Sequence, residues 1–219
     1  RILRFFRFHA CYGDPEGGLD PESLAACSAL SAGLETISKE RITAELRKLL
    51  SARDPAPAVA AMAQSGVLLQ ILPGADPRGL APLVHLEANI DIRWERRLAV
   101  LGGSDIEEAL RLSRAEARRV DALRQAASSM YTFAALGSVH GFRLGLDAVL
   151  VRAACLEATL PDAWDEEVER GSYTPFPVTA FALMPALQGE ALGARLKELH
   201  ERWLASDLTL SRDELLKGA

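Results

Sequence analysis

Apolar residues recur in this chain with a helical period almost from end to end, and nowhere does apolar–polar alternation persist long enough to make a strand. The longer apolar runs are rich in Ala and Leu rather than in β-branched residues. A chain patterned in this way can hide its apolar stripes only by packing helix on helix. With 219 residues, nearly half of them hydrophobic, it can fill one large core or two small ones. No repeat of fixed period is present, which excludes a regular solenoid. The expected fold is all-α, a multi-helix array with no significant sheet.

The punctuation divides the array. On a helical wheel Arg1, Arg4 and Arg7 share one arc, while Ile2, Leu3, Phe5, Phe6 and Ala10 occupy much of the rest. This first helix should stop near Gly13, before the turn Asp14-Pro15-Glu16-Gly17-Gly18. Asp20 as cap with Pro21 at the first position predicts a second helix to about Leu34. Ser38 should cap a third over 39–50, with Ile42, Leu46, Leu49 and Leu50 as its apolar seam. Asp54-Pro55-Ala56-Pro57 is a break, and short helices over 58–66 and 80–91 flank Ile71-Leu72-Pro73-Gly74. Gly102-Gly103-Ser104-Asp105 ends one helix and caps the next. Helices over 114–136 and 142–158 should be separated by Gly137-Ser138, and the acidic Asp165-Glu166-Glu167 reads as linker. A helix from Ala191 to about Ala205 and a short one capped by Ser211 complete the chain. The domain reading is 1–53, 54–160 and 161–219.

Several functional classes find no residues here. There is no glycine-rich phosphate loop, no HExxH, no GxSxG and no Asp-x-Asp pair. Cys11, Cys27 and Cys155 are odd in number and far apart, and His9, His85, His140 and His200 are equally scattered. That pattern predicts free thiols, a reducing, cytoplasmic setting, and no metal site. No apolar run reaches the roughly 18 residues of a membrane span, so no membrane partner is expected. The net charge of −5 counts against indiscriminate polyanion binding but allows an RNA surface where Lys and Arg cluster locally. Trp94, Trp164 and Trp203 each lie in an apolar helical period and read as core anchors. Because Arg1 falls inside a helical pattern with no cap before it, a fragment is expected.

The run Arg1-Ile2-Leu3-Arg4-Phe5-Phe6-Arg7-Phe8, followed by Ile37-Ser38-Lys39-Glu40-Arg41-Ile42 and Glu45-Leu46, resembles the neck of class II tRNA nucleotidyltransferases and bacterial poly(A) polymerases. In that family a helix reading Glu-Asp-x-x-Arg-x-x-Arg recognises the incoming nucleotide, its Asp and first Arg meeting the Watson–Crick edge of the base. Matched residue by residue, Arg1 falls on the templating Arg, and Arg4 and Arg7 on those that follow. The Glu-Asp pair would precede Arg1. Ser38-Lys39-Glu40-Arg41-Ile42 matches a motif that braces this helix, which implies a supporting role for Glu40 and Arg41. Taken alone, an arginine stripe is usually a solvated face, and Ser-Lys-Glu-Arg-Ile is an ordinary helix start.

The likeness extends through Ile71-Leu72-Pro73 and Leu112-Ser113-Arg114 to Phe176-Pro177-Val178-Thr179 and Gly189-Glu190-Ala191-Leu192-Gly193, which look like the tail of alphaproteobacterial members. Where those members carry Gly-x-Asp-Leu-Met, this chain has Ala180-Phe181-Ala182-Leu183-Met184. For RNA, the arginines Arg111, Arg114, Arg118 and Arg119 have spacings that allow most of them one helix face. The other reading of that helix is an ion-paired surface, since Glu107, Glu108, Glu116 and Asp121 interleave. The resemblance implies a parent that adds CCA to tRNA 3′ ends from CTP and ATP, with Mg²⁺ held in a catalytic head that is absent from this chain. It implies tRNA, ATP, CTP and that head as partners, and an isolated fragment that is inactive. Poly(A) addition, partial CCA addition, and a non-enzymatic helical scaffold binding another protein remain the alternatives.

Overall fold

The computed structural model describes residues 1–14 and 17–217, and among these it has helices and turns but no strand. The nearest approach to a sheet is a single antiparallel bridge, Ala75 to Gly102. The chain divides into two compact units, one of residues 1–127 with 150–159, the other of residues 128–149 with those from Leu160 onward. Residues 1–53 therefore pack within the same unit as most of the segment that follows them. Pro15 and Glu16 of the expected turn lie outside the described residues.

In the first unit, α1 (Ile2–Tyr12) ends where Gly13 donates its N–H to the His9 carbonyl, and it buries Leu3 and Phe6. α2 (Pro21–Ala29) opens as expected, with the Asp20 carboxylate accepting the Ser23 N–H at 2.8 Å. It stops earlier than expected, and a 3-10 turn over Ser31–Thr36 replaces its last part. The tighter turn takes Leu34 into the core while Leu30 stays exposed. α3 (Lys39–Leu50) has the expected bounds and buries the whole expected seam, although the Ser38 side chain makes no capping bond.

α4 (Ala56–Gln64) starts at the proline break, where the missing donor of Pro57 costs nothing in a first turn. α5 (Val67–Ile71) and α6 (Leu80–Leu86) follow. α7 (Trp94–Leu101) ends at Gly102, whose φ of 70° suits a residue without Cβ. α8 (Ile106–Leu110) and α9 (Arg114–Ser128) come next. α1 packs against both α3 and α4.

A buried ionic cluster lies beneath this arrangement, and no pattern in the sequence announced it. Glu87 accepts from Arg96 Nε at 2.6 Å and from Arg97 Nε at 2.8 Å, and all three side chains are fully buried. Arg97 also donates to the carbonyls of Leu50 at 2.7 Å, of Ala52, and of Arg53 at 3.2 Å. The Leu50 carbonyl is one that α3 leaves without an intrahelical partner at its C-terminal end, and those of Ala52 and Arg53 belong to the turn that follows. Arg96 donates to the carbonyl of Asp91, in the loop before α7, at 2.7 Å. The excess guanidinium charge is therefore spread over backbone oxygens, which lets two arginines and one carboxylate share an interior.

In the second unit, Gly137 lies inside a helix instead of between two. α10 (Phe133–Leu156), whose residues from Leu150 onward belong to the first unit, is interrupted at Gly141, where φ is 76° and ψ 166°. A Cβ on Gly137 would lie 2.0 Å from the Val168 carbonyl oxygen, and one on Gly171 would lie 1.8 Å from that of Ala134. These glycines let α10 and α11 (Trp164–Tyr173) approach closely, which is a packing role, not a breaking one. Asp165, Glu166 and Glu167, expected in a linker, form the first turn of α11, where carboxylates suit the helix dipole. α10 is also long and apolar enough to cross a membrane, although more than half of it is buried inside the protein. α12 (Gly189–Ala205) supplies Leu199, Trp203 and Leu204 to the core of this unit, and Phe176 and His200 stack against Trp203. α13 (Arg212–Leu216) begins with the expected cap, now a full capping box between Ser211 and Glu214.

Candidate nucleic-acid interface

The residues singled out in the first unit fall on two surfaces. On α1, Arg1 is the exposed residue at the N-cap and makes no salt bridge among the described residues. Arg4 is also exposed, with its Nε 3.7 Å from Glu45 Oε1. Arg7 turns inward and donates Nε to Glu45 Oε2 at 2.7 Å, while its guanidinium lies 4.6 Å over the Phe8 ring. Partial burial alone would raise the Glu45 carboxyl. The hydrogen bond and charge of Arg7, aided by Arg4 and Lys48, override that and hold it below the usual carboxylate range.

The ion pair that joins α3 to α1 is thus made by Glu45. Glu40 reaches the other way, to Arg111 at 3.3 Å, and Arg41 is exposed. A helical wheel carries the signal: Glu45 borders the seam of Ile42, Leu46 and Leu49, whereas Glu40 lies on the far side.

The second surface is the start of α9. Ser113 and Glu116 cap this helix reciprocally, with Ser113 N donating to Glu116 Oε2 at 3.0 Å and Glu116 N to Ser113 Oγ at 3.3 Å. Glu116 also accepts from Arg47 of α3 at 2.6 Å, and the Arg47 guanidinium lies 4.5 Å over Trp94. Arg114 and Arg118, one turn apart, are exposed and make no salt bridge among the described residues. Arg119 pairs with Glu95 at 3.6 Å. Arg111 stands off this helix: it closes α8 in the left-handed region with φ 49°. Two of the acids expected to interleave with these arginines pair with α3 instead, Glu116 with Arg47 and Glu108 with Lys39.

A cleft of about 540 Å³ opens between the loops at Gly74–Gly79 and Leu101–Ser104. Its cations are already engaged, Arg78 by Asp76 at 2.5 Å and Arg124 by the Gly103 carbonyl at 3.2 Å. Among the described residues no three His, Cys, Asp or Glu side chains gather where they could hold a metal ion. Cys11 and Cys155 are exposed and Cys27 is buried, and all three are free thiols.

Comparison with known proteins places these surfaces in context. Residues 18–78 match the family model described as "Probable RNA and SrmB- binding site of polymerase A". Across 99% of the chain, the sequence is 28% identical to the mitochondrial CCA tRNA nucleotidyltransferase 1 of Homo sapiens and 27% identical to that of Mus musculus. The chain spans 54% of the length of each, about half of the curated relatives it matches. The fold is shared with a CCA-adding enzyme solved with ATP, at a TM-score of 0.62 and 16% identity over 99% of this chain and 58% of that one. It is shared also with the Thermotoga maritima CCA-adding enzyme complexed with tRNA, at 0.60 and 17% identity over 100% of this chain and 59% of that one. By the family model over residues 18–78 and the alignment along almost its whole length, the chain is similar to part of the CCA tRNA nucleotidyltransferases, and it shares the all-helical fold of the corresponding part of CCA-adding enzymes.

Proposed function

We propose that this chain is the base-recognising and tRNA-docking part of a tRNA nucleotidyltransferase that adds CCA from CTP and ATP. The observation that carries the reading is the alignment with CCA tRNA nucleotidyltransferases along nearly the entire chain. The chemistry of α1 agrees with it. A guanidinium is a planar fork of donors that meets a base edge at two points, and the exposed arginines of α1 are Arg1 and Arg4. Arg7 lends its charge to the site while its own fork is held by Glu45. Within an intact enzyme, Arg1 would then read the base, Arg4 would assist, and Arg7 with Glu45 would fix the aim of α1. Glu40 and Arg41 would act through the start of α3, with Glu40 steadying Arg111. Arg114 and Arg118 would follow the phosphates of the tRNA, with Arg111 and Arg119 held close by.

Phosphoryl transfer and its Mg²⁺ belong on this reading to a catalytic head that these residues do not supply. A second reading, poly(A) addition, is favoured by the polymerase A description of the matched family model. The test uses the purified chain. It should bind a tRNA lacking its CCA end in a salt-dependent manner and incorporate no labelled CMP or AMP. Absence of tRNA binding at low salt would overturn the docking role, and incorporation that survives repurification would overturn the assignment of catalysis elsewhere. Within an intact enzyme, Arg1→Ala should lower discrimination between correct and incorrect nucleotides by roughly 5- to 150-fold.

A further inference from the structure

We propose that the exposed side of α1 is a stacking platform for the single-stranded 3′ end of an RNA, with Tyr12 and Phe8 as its rings. Arg1, Arg4, Phe8, Cys11 and Tyr12 follow one another along a single stripe of the helix, opposite the buried Leu3 and Phe6. Phe8 is 52% exposed and Tyr12 77% exposed, which is unusual for rings that a core could take in. They pack on each other with centroids 5.8 Å apart, and the Arg7 guanidinium covers part of Phe8 at 4.6 Å. Tyr12 therefore presents an open face at the end of a row of guanidiniums.

A row of cations that leads to an open aromatic face suits a flexible polyanion with stackable bases. The surface suits a protein partner less well. Two rings fall far short of the roughly 1,200–2,000 Å² that a specific protein interface buries, and the exposed guanidiniums of Arg1 and Arg4 lie along the same stripe. From Arg1 to Tyr12 the stripe runs about 16 Å along the helix axis. That length holds four to five stacked nucleotides at ~3.4 Å each. The inference rests on the proposed role of Arg1 in one respect: the strand that receives a nucleotide must end beside the base being read, and this stripe begins there.

The experiment uses the whole chain and a single-stranded RNA octamer with 2-aminopurine near its 3′ end and a 5′-fluorescein. Anisotropy reads binding, and quenching of the 2-aminopurine reads stacking. Tyr12→Ala should weaken binding by roughly 5- to 150-fold and abolish the quenching. Tyr12→Phe should retain both, and Phe8→Ala should lose part of each. Because Tyr12 lies outside the core, circular dichroism of its variants should match that of the parent chain. Tyr12→Ala that binds and quenches as the parent does would overturn the platform. Self-association of the parent chain that Tyr12→Ala abolishes, with RNA binding unchanged, would assign the face to protein instead. Arg1→Ala keeps the two proposals apart. If Arg1→Ala within an intact enzyme leaves nucleotide choice intact while Tyr12→Ala in this chain still weakens the octamer, the base-reading role falls and the platform stands. The reverse pattern removes the platform alone.

Discussion

Glu87→Gln keeps the shape of the buried cluster and takes away the charge that Arg96 and Arg97 share. In the native protein the carboxylate receives both Nε donors, at 2.6 and 2.8 Å, where water does not reach. Glutamine offers one oxygen acceptor and an NH₂ group that must face a guanidinium donor. One charge-assisted bond is lost outright, the other becomes charge–dipole, and two cations are left buried with backbone carbonyls as their main compensation. Breaking a buried ion pair in this way costs about 3–5 kcal/mol. That is a large share of the roughly 5–15 kcal/mol that holds a domain together. The assay is native-state hydrogen exchange read by mass spectrometry, with peptides of the second unit as internal reference. At about 1.4 kcal/mol per decade, amides of α3 and α7 should lose two to nearly four decades of protection. A loss of less than tenfold would refute the argument, because it would mean that the guanidiniums find equal compensation without the carboxylate.

Other outcomes follow from single contacts. The Glu45 carboxyl has its pKa lowered in the folded chain, so the stability from its pairing with Arg7 is present above the ordinary carboxylate pKa of about 4.3 and is lost as pH falls through the lowered value. Glu45→Gln should flatten that acid limb of an unfolding titration, and an unaltered limb would remove this pairing from the acid stability of the chain. Arg114→Ala with Arg118→Ala should reduce the slope of log K against log salt for tRNA by about 0.7–0.9 per phosphate contact, and an unchanged slope in a folded variant would remove α9 from the interface. Gly137→Ala puts a methyl 2.0 Å from the Val168 oxygen and should destabilise the second unit by about 1–3 kcal/mol in urea, unless α10 and α11 can part freely.

What the sequence revealed and what it hid divide along physical lines. Helix starts with a local chemical signature were legible, as Asp20-Pro21 and the Ser211–Glu214 box demonstrate. The bounds of α3 were legible too, because its seam is regular and a proline break follows closely. Glycine misled in proportion to its ambiguity. Gly13 and Gly102 end helices, but Gly137 is there for a close approach by α11, and only the packed chain distinguishes the two. Asp165–Glu167 carried a polar composition that fits a linker and a helical first turn equally well. The buried Arg96 and Arg97 were invisible because charged residues are ordinarily outside, and the carbonyls that Arg97 satisfies come from a segment more than forty residues away. At the interface, the arginines of α1 were legible as a set, but their division into exposed Arg1 and Arg4 and tethered Arg7 depends on Glu45.

The two tethers of α3 also have a kinematic consequence. Glu45 grips α1 and Arg47, two residues on and across the helix, grips Glu116 at the start of α9. With side chains reaching about 5–6 Å from the axis, turning α3 by some 20° would carry each tip through roughly 2 Å. Both bonds, at 2.7 and 2.6 Å, would pass beyond hydrogen-bonding range together. α3 behaves as a spindle pinned on both sides, so the arginines of α1 and those of α9 keep one mutual orientation, and whatever twists one set must drag the other.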